Sequence, residues 1–208
     1  MQRPETGPAM QPGSLPPLVV VFFGMTASGK STLARAYAQS HGLSWYNTDR
    51  ERKILAGLEP TDRCPEDVGQ GIYSPGLSRQ TYTTLVEKAR LDLAAGQAAV
   101  VLDGSYGLRR DRQEVVDMAG QQGARVVFIY CRCGEVEVKR RLELRAAEQQ
   151  AVSDGRWEIY QHQLAVFERP AAGEDGCHLT LDTDKELARV EAELEARLAS
   201  LLADLSAG

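Results

Sequence analysis

The chain has 208 residues, 43% of them apolar and 25% charged, with a formal net charge of −5. This is globular composition: it excludes a disordered or fibrous chain and allows one core large enough for a sheet covered on both faces. An acidic balance provides no long-range pull on a polyanion, although a local arginine cluster still suffices to grip phosphate.

Residues Met1–Pro17 are rich in Pro, Gly and Gln and lack the apolar run of a signal peptide. They read as a disordered tail, with Met10 as an alternative start. Leu18–Phe23 is a β-branched and aromatic run without polar alternation, as in a strand buried on both faces. It is the longest apolar run and far too short to span a bilayer. Helical sequence over Lys30–Ser40 ends near Gly42. A short strand, Leu43–Asn47, leads into a helix from about Arg50 to Ala56. Gly57–Gly76, with three prolines and four glycines, reads as a long loop.

Arg79–Ala95 repeats apolar residues at helical spacing and stops at Gly96. Ala98–Leu102 is a third strand ending in Asp103, and Asp111–Gln121 is helical. Ala124–Cys131 is a fourth strand, followed by a strongly charged helix over Glu135–Gln150. A helix over Arg156–Glu168 is ended by Pro170. His178–Leu181 is a last strand, and Lys185–Leu205 a closing amphipathic helix. Such alternation predicts an α/β fold: a doubly wound, mostly parallel five-stranded sheet with helices on both faces and right-handed crossovers. One domain is expected over 18–208, with a helical lid around 134–156.

Four cysteines are present: Cys64, Cys131, Cys133 and Cys177. Only Cys131 and Cys133 are close, and zinc needs a second pair at suitable spacing. They read as buried or idle thiols of a reduced, cytoplasmic protein.

Chemistry concentrates first at Gly24-Met25-Thr26-Ala27-Ser28-Gly29-Lys30-Ser31, which fits G-x-x-x-x-G-K-[ST] between a buried strand and a helix. Glycines let backbone N–H groups converge on a phosphate, and the helix N-terminus adds its positive end. Lys30 would span the β- and γ-phosphates of ATP, and Ser31 would ligate Mg²⁺. The nucleotide-binding set is Gly24, Thr26, Ala27, Ser28, Gly29, Lys30, Ser31 and Thr32. The Asn-Lys-x-Asp segment of a GTPase is absent, and the chain is too short for a AAA+ motor. A small kinase is the expectation.

Asp49 follows the second strand, at the edge where ligands of open α/β sheets bind. A carboxylate there can accept the proton of an attacking hydroxyl; capping a helix is the plainer role. Arg52, one turn on, could hold the acceptor in bidentate fashion. Val100-Val101-Leu102-Asp103 delivers an acid beside the phosphate site, where it could hold Mg²⁺ through water, contact the acceptor, or simply form a turn. Arg79, with Tyr73 and Tyr82, is placed near the acceptor side.

The phosphate loop, Asn47-x-Asp49-x-x-Arg52, the Val100–Ser105 segment with Arg109-Arg110, and Arg141-Leu142-x-x-x-Arg145 together resemble the small P-loop kinase superfamily. That superfamily includes 5′-hydroxyl polynucleotide kinases, chloramphenicol phosphotransferase, zeta toxins and gluconate kinase. Ser153–Tyr160 looks like a segment of predicted AAA-type ATP-binding kinases that are often fused behind an aminoglycoside-phosphotransferase-like domain. The likeness covers about Leu18 to Val190. It implies that Asp49 is the general base, Arg52 an acceptor ligand and Asp103 the acid facing the phosphates. It makes Arg141 a nucleotide-binding and Arg145 a catalytic lid arginine, against the plainer reading of a solvated charge run. The segment Leu181–Asp184 would lie near the adenine, with Asp184 as a helix cap the simpler account.

The implied activity is phosphoryl transfer from ATP to the hydroxyl of a small-molecule acceptor. Two alternatives stand beside it: 5′-hydroxyl nucleic-acid phosphorylation, and an ATP-binding switch with slow hydrolysis. No membrane partner is expected.

Overall fold

The computed structural model describes residues 16–62, 69–147, 156–170 and 176–207. The strands are β1 (Leu18–Phe23), β2 (Ser44–Asn47), β3 (Ala99–Gly104), β4 (Arg125–Arg132) and β5 (Cys177–Asp182). They form one sheet in the order β2-β3-β1-β4-β5, every pairing parallel. The mostly parallel sheet expected from sequence is wholly parallel. β1 is central, so its carboxyl end, and that of β3 beside it, opens into the crevice where such sheets bind ligands.

The helices are α1 (Lys30–His41), α2 (Thr48–Leu55), α3 (Pro75–Ala94), α4 (Arg109–Gln121), α5 (Glu135–Ala147), α6 (Trp157–Val166) and α7 (Leu187–Ala207). All of β1 from Val19 to Phe23 is fully buried. Val19, Val21 and Phe23 point into the layer formed with α3 and α4, where they meet Leu85, Val115 and Met118. Val20 and Phe22 point the other way, to Leu33 and Tyr37 of α1 and Leu194 of α7. Two dry faces explain a strand with no polar alternation, and each large side chain so buried contributes about 1.5–3 kcal/mol. A third, smaller cluster joins Ala27 of the β1–α1 loop to Val138 and Leu142 of α5 and Tyr160 of α6. It seats α5 and α6 on the loop. Among the described residues no helix is long and apolar enough to cross a membrane.

Several boundaries moved for identifiable reasons. α2 starts at Thr48 because the Asn47 side chain accepts from the Arg50 N–H; Asn47, not Asp49, is the cap. α3 begins at Pro75, in the first turn, where a missing N–H costs nothing. Together with a 3₁₀ turn at Gly71–Tyr73 this shortens the expected Gly57–Gly76 loop. α6 ends at Val166, ahead of Pro170, because Phe167 turns extended and stacks on Tyr130, ring centroids 5.6 Å apart. Asp184 does not cap α7; its carboxylate accepts from the Gly134 N–H at 2.9 and 3.1 Å, at the entry to α5. Most of the 1–17 tail, Cys64, the end of the Glu135–Gln150 helix and the Ser153–Gly155 part of the resemblance lie outside the described residues.

Candidate active site

The β1–α1 loop is wound by three left-handed residues, Gly24 (φ 143°), Ala27 (φ 59°) and Gly29 (φ 81°). At Gly24 a Cβ would lie 2.2 Å from the Cys131 carbonyl oxygen, so only glycine lets the loop pass β4 this closely. Thr26, Ala27 and Ser28 are buried. The loop feeds straight into α1, whose first turn carries no acid, leaving its positive end free for an anion. Lys30 is folded over the loop, its Nζ donating to the Met25 carbonyl at 3.4 Å. Ser28 Oγ is buried and has no partner among the described residues.

Beneath the loop, Ser31 Oγ donates to Asp103 Oδ1 at 3.0 Å, and Asn47 Nδ2 donates to Asp103 Oδ2 at 2.6 Å. Asp103 is fully buried. That burial raises its carboxyl above the usual range, while Lys30, Asn47 and Ser31 pull in the opposite direction. The expectation that Asp103 also binds the acceptor is not met. Both of its oxygens are engaged beneath the loop, and it does not line the neighbouring cavity. The Ser31–Asp103 pair does fit a magnesium ion, since both offer hard oxygen donors. Among the described residues no cluster of three His, Cys, Asp or Glu could hold a metal by itself. Magnesium would therefore take its remaining ligands from water and phosphate, as it usually does.

Beside the loop lies a cavity of about 370 Å³ that brings together Lys30, Asp49, Arg52 and Arg79. Asp49, in the first turn of α2, accepts from Arg52 at 3.1 Å. The Arg52 side chain is 9% exposed, and Asp49 keeps 26% of its own open. The guanidinium lies over the Tyr73 ring, 5.0 Å from its centroid, and its Nε has no partner among the described residues. Arg79 is present as expected but is paired with Glu114. Tyr82, also on this wall, hydrogen-bonds Ser105 at 2.7 Å. Asp111 lines the cavity too, and burial raises its carboxyl against the opposing pull of Arg110. The far wall is α6, with Ile159, Gln163 and Val166, and Phe167 just beyond its end. Gln163 Oε1 accepts from the Thr26 N–H of the phosphate loop at 2.6 Å.

On the other side of the loop, Gly29, Thr32, Arg141, Arg145, Thr183 and Val190 share a second cavity of about 420 Å³. Arg141 donates to the carbonyls of Ala27 (3.2 Å) and Thr183, and its Nε donates to Glu137 at 2.7 Å. Thr183 Oγ1 in turn donates to the Ser28 carbonyl at 2.7 Å. Arg145 stands one turn from Arg141 and faces this cavity rather than the one holding Asp49. Arg140 is a surface partner of Glu137, as the charge-run reading had it.

Sequence reading picked out the loop, Asp49, Arg52, Arg79 and Arg141, and passed over Asp111 and Gln163 as functional residues. Asp111 had a weak signal, an acid directly after Arg109-Arg110. Gln163 had none, because a polar residue on an amphipathic helix looks like any solvated position.

A left-handed nest of amides after a central parallel strand, a lysine opening the next helix and a serine–aspartate pair beneath them define the P-loop nucleotide-binding class. Residues 19–170 match the family model described as AAA domain, and the chain belongs to that family. Its fold is that of the small P-loop kinases. A gluconokinase from Sinorhizobium meliloti 1021 superposes with a TM-score of 0.61 at 24% identity, over 92% of this chain and 96% of that one. A sugar kinase from Janibacter sp. HTCC2649 gives 0.65 at 20% identity, over 89% and 95%. The Mycobacterium tuberculosis APS kinase CysC, in complex with AMPPNP and APS, gives 0.58 at 20% identity, over 88% and 98%. An uncharacterized protein of Mycobacterium tuberculosis (strain H37Rv) is 32% identical over 108 residues. The match takes in 52% of this chain and 22% of that protein's length.

Proposed function

We propose that the protein is an ATP-dependent kinase that transfers the γ-phosphoryl group to a hydroxyl of a small-molecule acceptor. The observation that carries this reading is the shared cavity: Lys30 of the phosphate loop and Asp49 of α2 line the same space, with the buried Arg52 beside them. The loop amides and Lys30 hold the triphosphate; Arg141 and Arg145 border the nucleotide side. The acceptor oxygen attacks the γ-phosphorus, the bond to the β-bridging oxygen breaks with its electron pair left on ADP, and Asp49 takes the hydroxyl proton. Magnesium held by Ser31, with Asp103 behind it, would supply charge neutralisation on the phosphate oxygens when bound. Arg52 and Arg79 anchor the acceptor. The protein works in the cytoplasm.

A volume of about 370 Å³ falls in the range of small-molecule sites, and α6 walls one side. Both features favour a small acceptor over a nucleic-acid end, as does the net charge of −5. The test is ATP consumption against a library of hydroxyl compounds together with a 5′-hydroxyl oligonucleotide. Asp49→Asn should lower transfer about 10²–10⁴-fold while AMPPNP still binds. Unchanged turnover in that variant would overturn the mechanism, and background hydrolysis with every acceptor would leave the switch reading in its place.

A further inference from the structure

Besides the apolar cluster that seats α6 on the phosphate loop, one hydrogen bond ties the two together at the cleft. Thr26 is buried, so its N–H has little water to turn to, and Gln163 Oε1 accepts it at 2.6 Å from 137 residues away. A carboxamide has one carbonyl and one NH₂ group. Since Thr26 contributes a donor, the end of Gln163 that meets it must be the carbonyl. The two Nε2 hydrogens are therefore turned away from the loop amide, and no partner for them occurs among the described residues. Gln163 and Thr26 both line the cavity that contains Lys30 and Asp49.

The rest of α6 keeps this side chain from wandering. Beyond its end, the Glu168 N–H donates to the Gly107 carbonyl at 2.8 Å, and Glu168 Oε2 accepts from the Arg109 N–H. Phe167 stacks on Tyr130, and Tyr160 is buried with Val138 and Leu142. A side chain fixed at its carbonyl, on a helix tied down at both ends, is a preorganised pair of donors. Such donors stabilise charge that develops during reaction without having to reorganise.

We propose that Gln163 is a further catalytic residue of the transfer: Thr26 orients its carboxamide so that the Nε2 hydrogens donate to the phosphoryl oxygens as they pass from ADP to the acceptor. This rests on the kinase reading above. Gln163 breaks no bond and moves no proton; the departing electron pair stays on ADP, and the acceptor proton goes to Asp49. Its donors compensate the charge spread over the equatorial oxygens, the task Lys30 also performs from the same cavity.

Water serves as the acceptor in the test, so no identified substrate is needed. The full chain is given saturating ATP and magnesium, and phosphate release is measured alongside AMPPNP binding. Gln163→Ala removes both halves of the carboxamide. Gln163→Glu keeps an oxygen for the Thr26 N–H but has no N–H of its own. Both variants are expected to lower the rate at saturating ATP about 10²–10³-fold, the usual cost of removing one such donor. A Gln163→Glu rate at the wild-type level, with only Gln163→Ala impaired, would overturn the proposal and leave Gln163 as a pin for α6. Lys30→Ala separates this from failure of the kinase reading. If that variant releases phosphate at the wild-type rate, the activity does not belong to this cleft and both readings fall. If Lys30→Ala is inactive and Gln163→Glu is not, only the present proposal falls.

Discussion

Asp103 accepts the Ser31 hydroxyl at 3.0 Å, although 72 residues separate the two in sequence. The parallel register of β1 and β3, which pairs Phe23 with Gly104, brings them together. The pairing has a pH signature. Burial raises the Asp103 carboxyl, so the folded chain holds that proton more tightly than the unfolded chain does. Stability from this group therefore falls as pH rises above the ordinary carboxylate range and recovers as pH falls. The amide of Asp103→Asn does not titrate. Wild type should thus gain melting temperature relative to Asp103→Asn as pH is lowered toward the ordinary carboxylate range. A gap that stays constant with pH would mean that the buried carboxylate costs nothing. The same variant should lower magnesium-dependent phosphate release.

The glycines of the loop are not equivalent to those of the turns. Gly42 closes α1 at φ 64° with open space where a Cβ would go. Gly42→Ala should cost only the left-handed penalty, about 1–2 kcal/mol. Gly24→Ala adds an overlap at 2.2 Å with the Cys131 carbonyl, a backbone atom of a central strand that cannot step aside. It should lose several kcal/mol or fail to fold. Denaturant midpoints of the two variants provide the comparison; equal losses would contradict the close approach of loop and β4.

Arg52 combines a buried guanidinium, a bond to Asp49 and a stack on Tyr73. Arg52→Lys preserves the charge but loses both the fork and the planar face. If Arg52 anchors the acceptor, this variant should raise the acceptor KM about tenfold, which corresponds to about 1.4 kcal/mol, and leave the KM for ATP nearly unchanged. Tyr73→Leu removes the ring beneath the guanidinium and should raise the same KM, since a cation–π contact contributes about 0.5–2 kcal/mol. Steady-state kinetics with the acceptor found by screening would decide. A change confined to ATP would move Arg52 out of the acceptor site.

Much of this was legible because local chemistry and the tertiary result agree. The LVVVFF run could only be a strand with two dry faces, and a glycine–lysine–serine turn after such a strand has few other uses. The acids at the ends of β2 and β3 were found from strand position. What separated them was invisible from sequence: Asp49 stays open to the cavity, while Asp103 is sealed beneath Ser31 and Asn47. That difference is set by the register of neighbouring strands. Arg145 was expected at the chemistry, yet it borders the cavity shared with Arg141 and Thr183, because a spacing of four fixes which helix face it shares with Arg141 but not what that face meets. Gln163 depends on how α6 docks, and no local pattern carries that information.

Arg141 lines the cavity on the α5 side of the loop. It reaches the Ala27 carbonyl of the loop and the Thr183 carbonyl after β5, while Glu137 holds its Nε from within α5. One planar group therefore ties three segments, a geometry that the ammonium of lysine cannot reproduce. If the guanidinium also donates to a bound nucleotide, a bond that contributes about 1.5–3 kcal/mol, Arg141→Ala should weaken AMPPNP binding at least tenfold. Arg141→Lys should recover little of that loss. Arg140 is the control. Its side chain is 60% exposed and pairs with the same Glu137, so Arg140→Ala should leave binding unchanged. Equal losses at Arg140 and Arg141 would show that the helix charge matters and the contacts do not. A loss confined to Arg141 makes the arginine a structural clasp that sets the width of the nucleotide cleft.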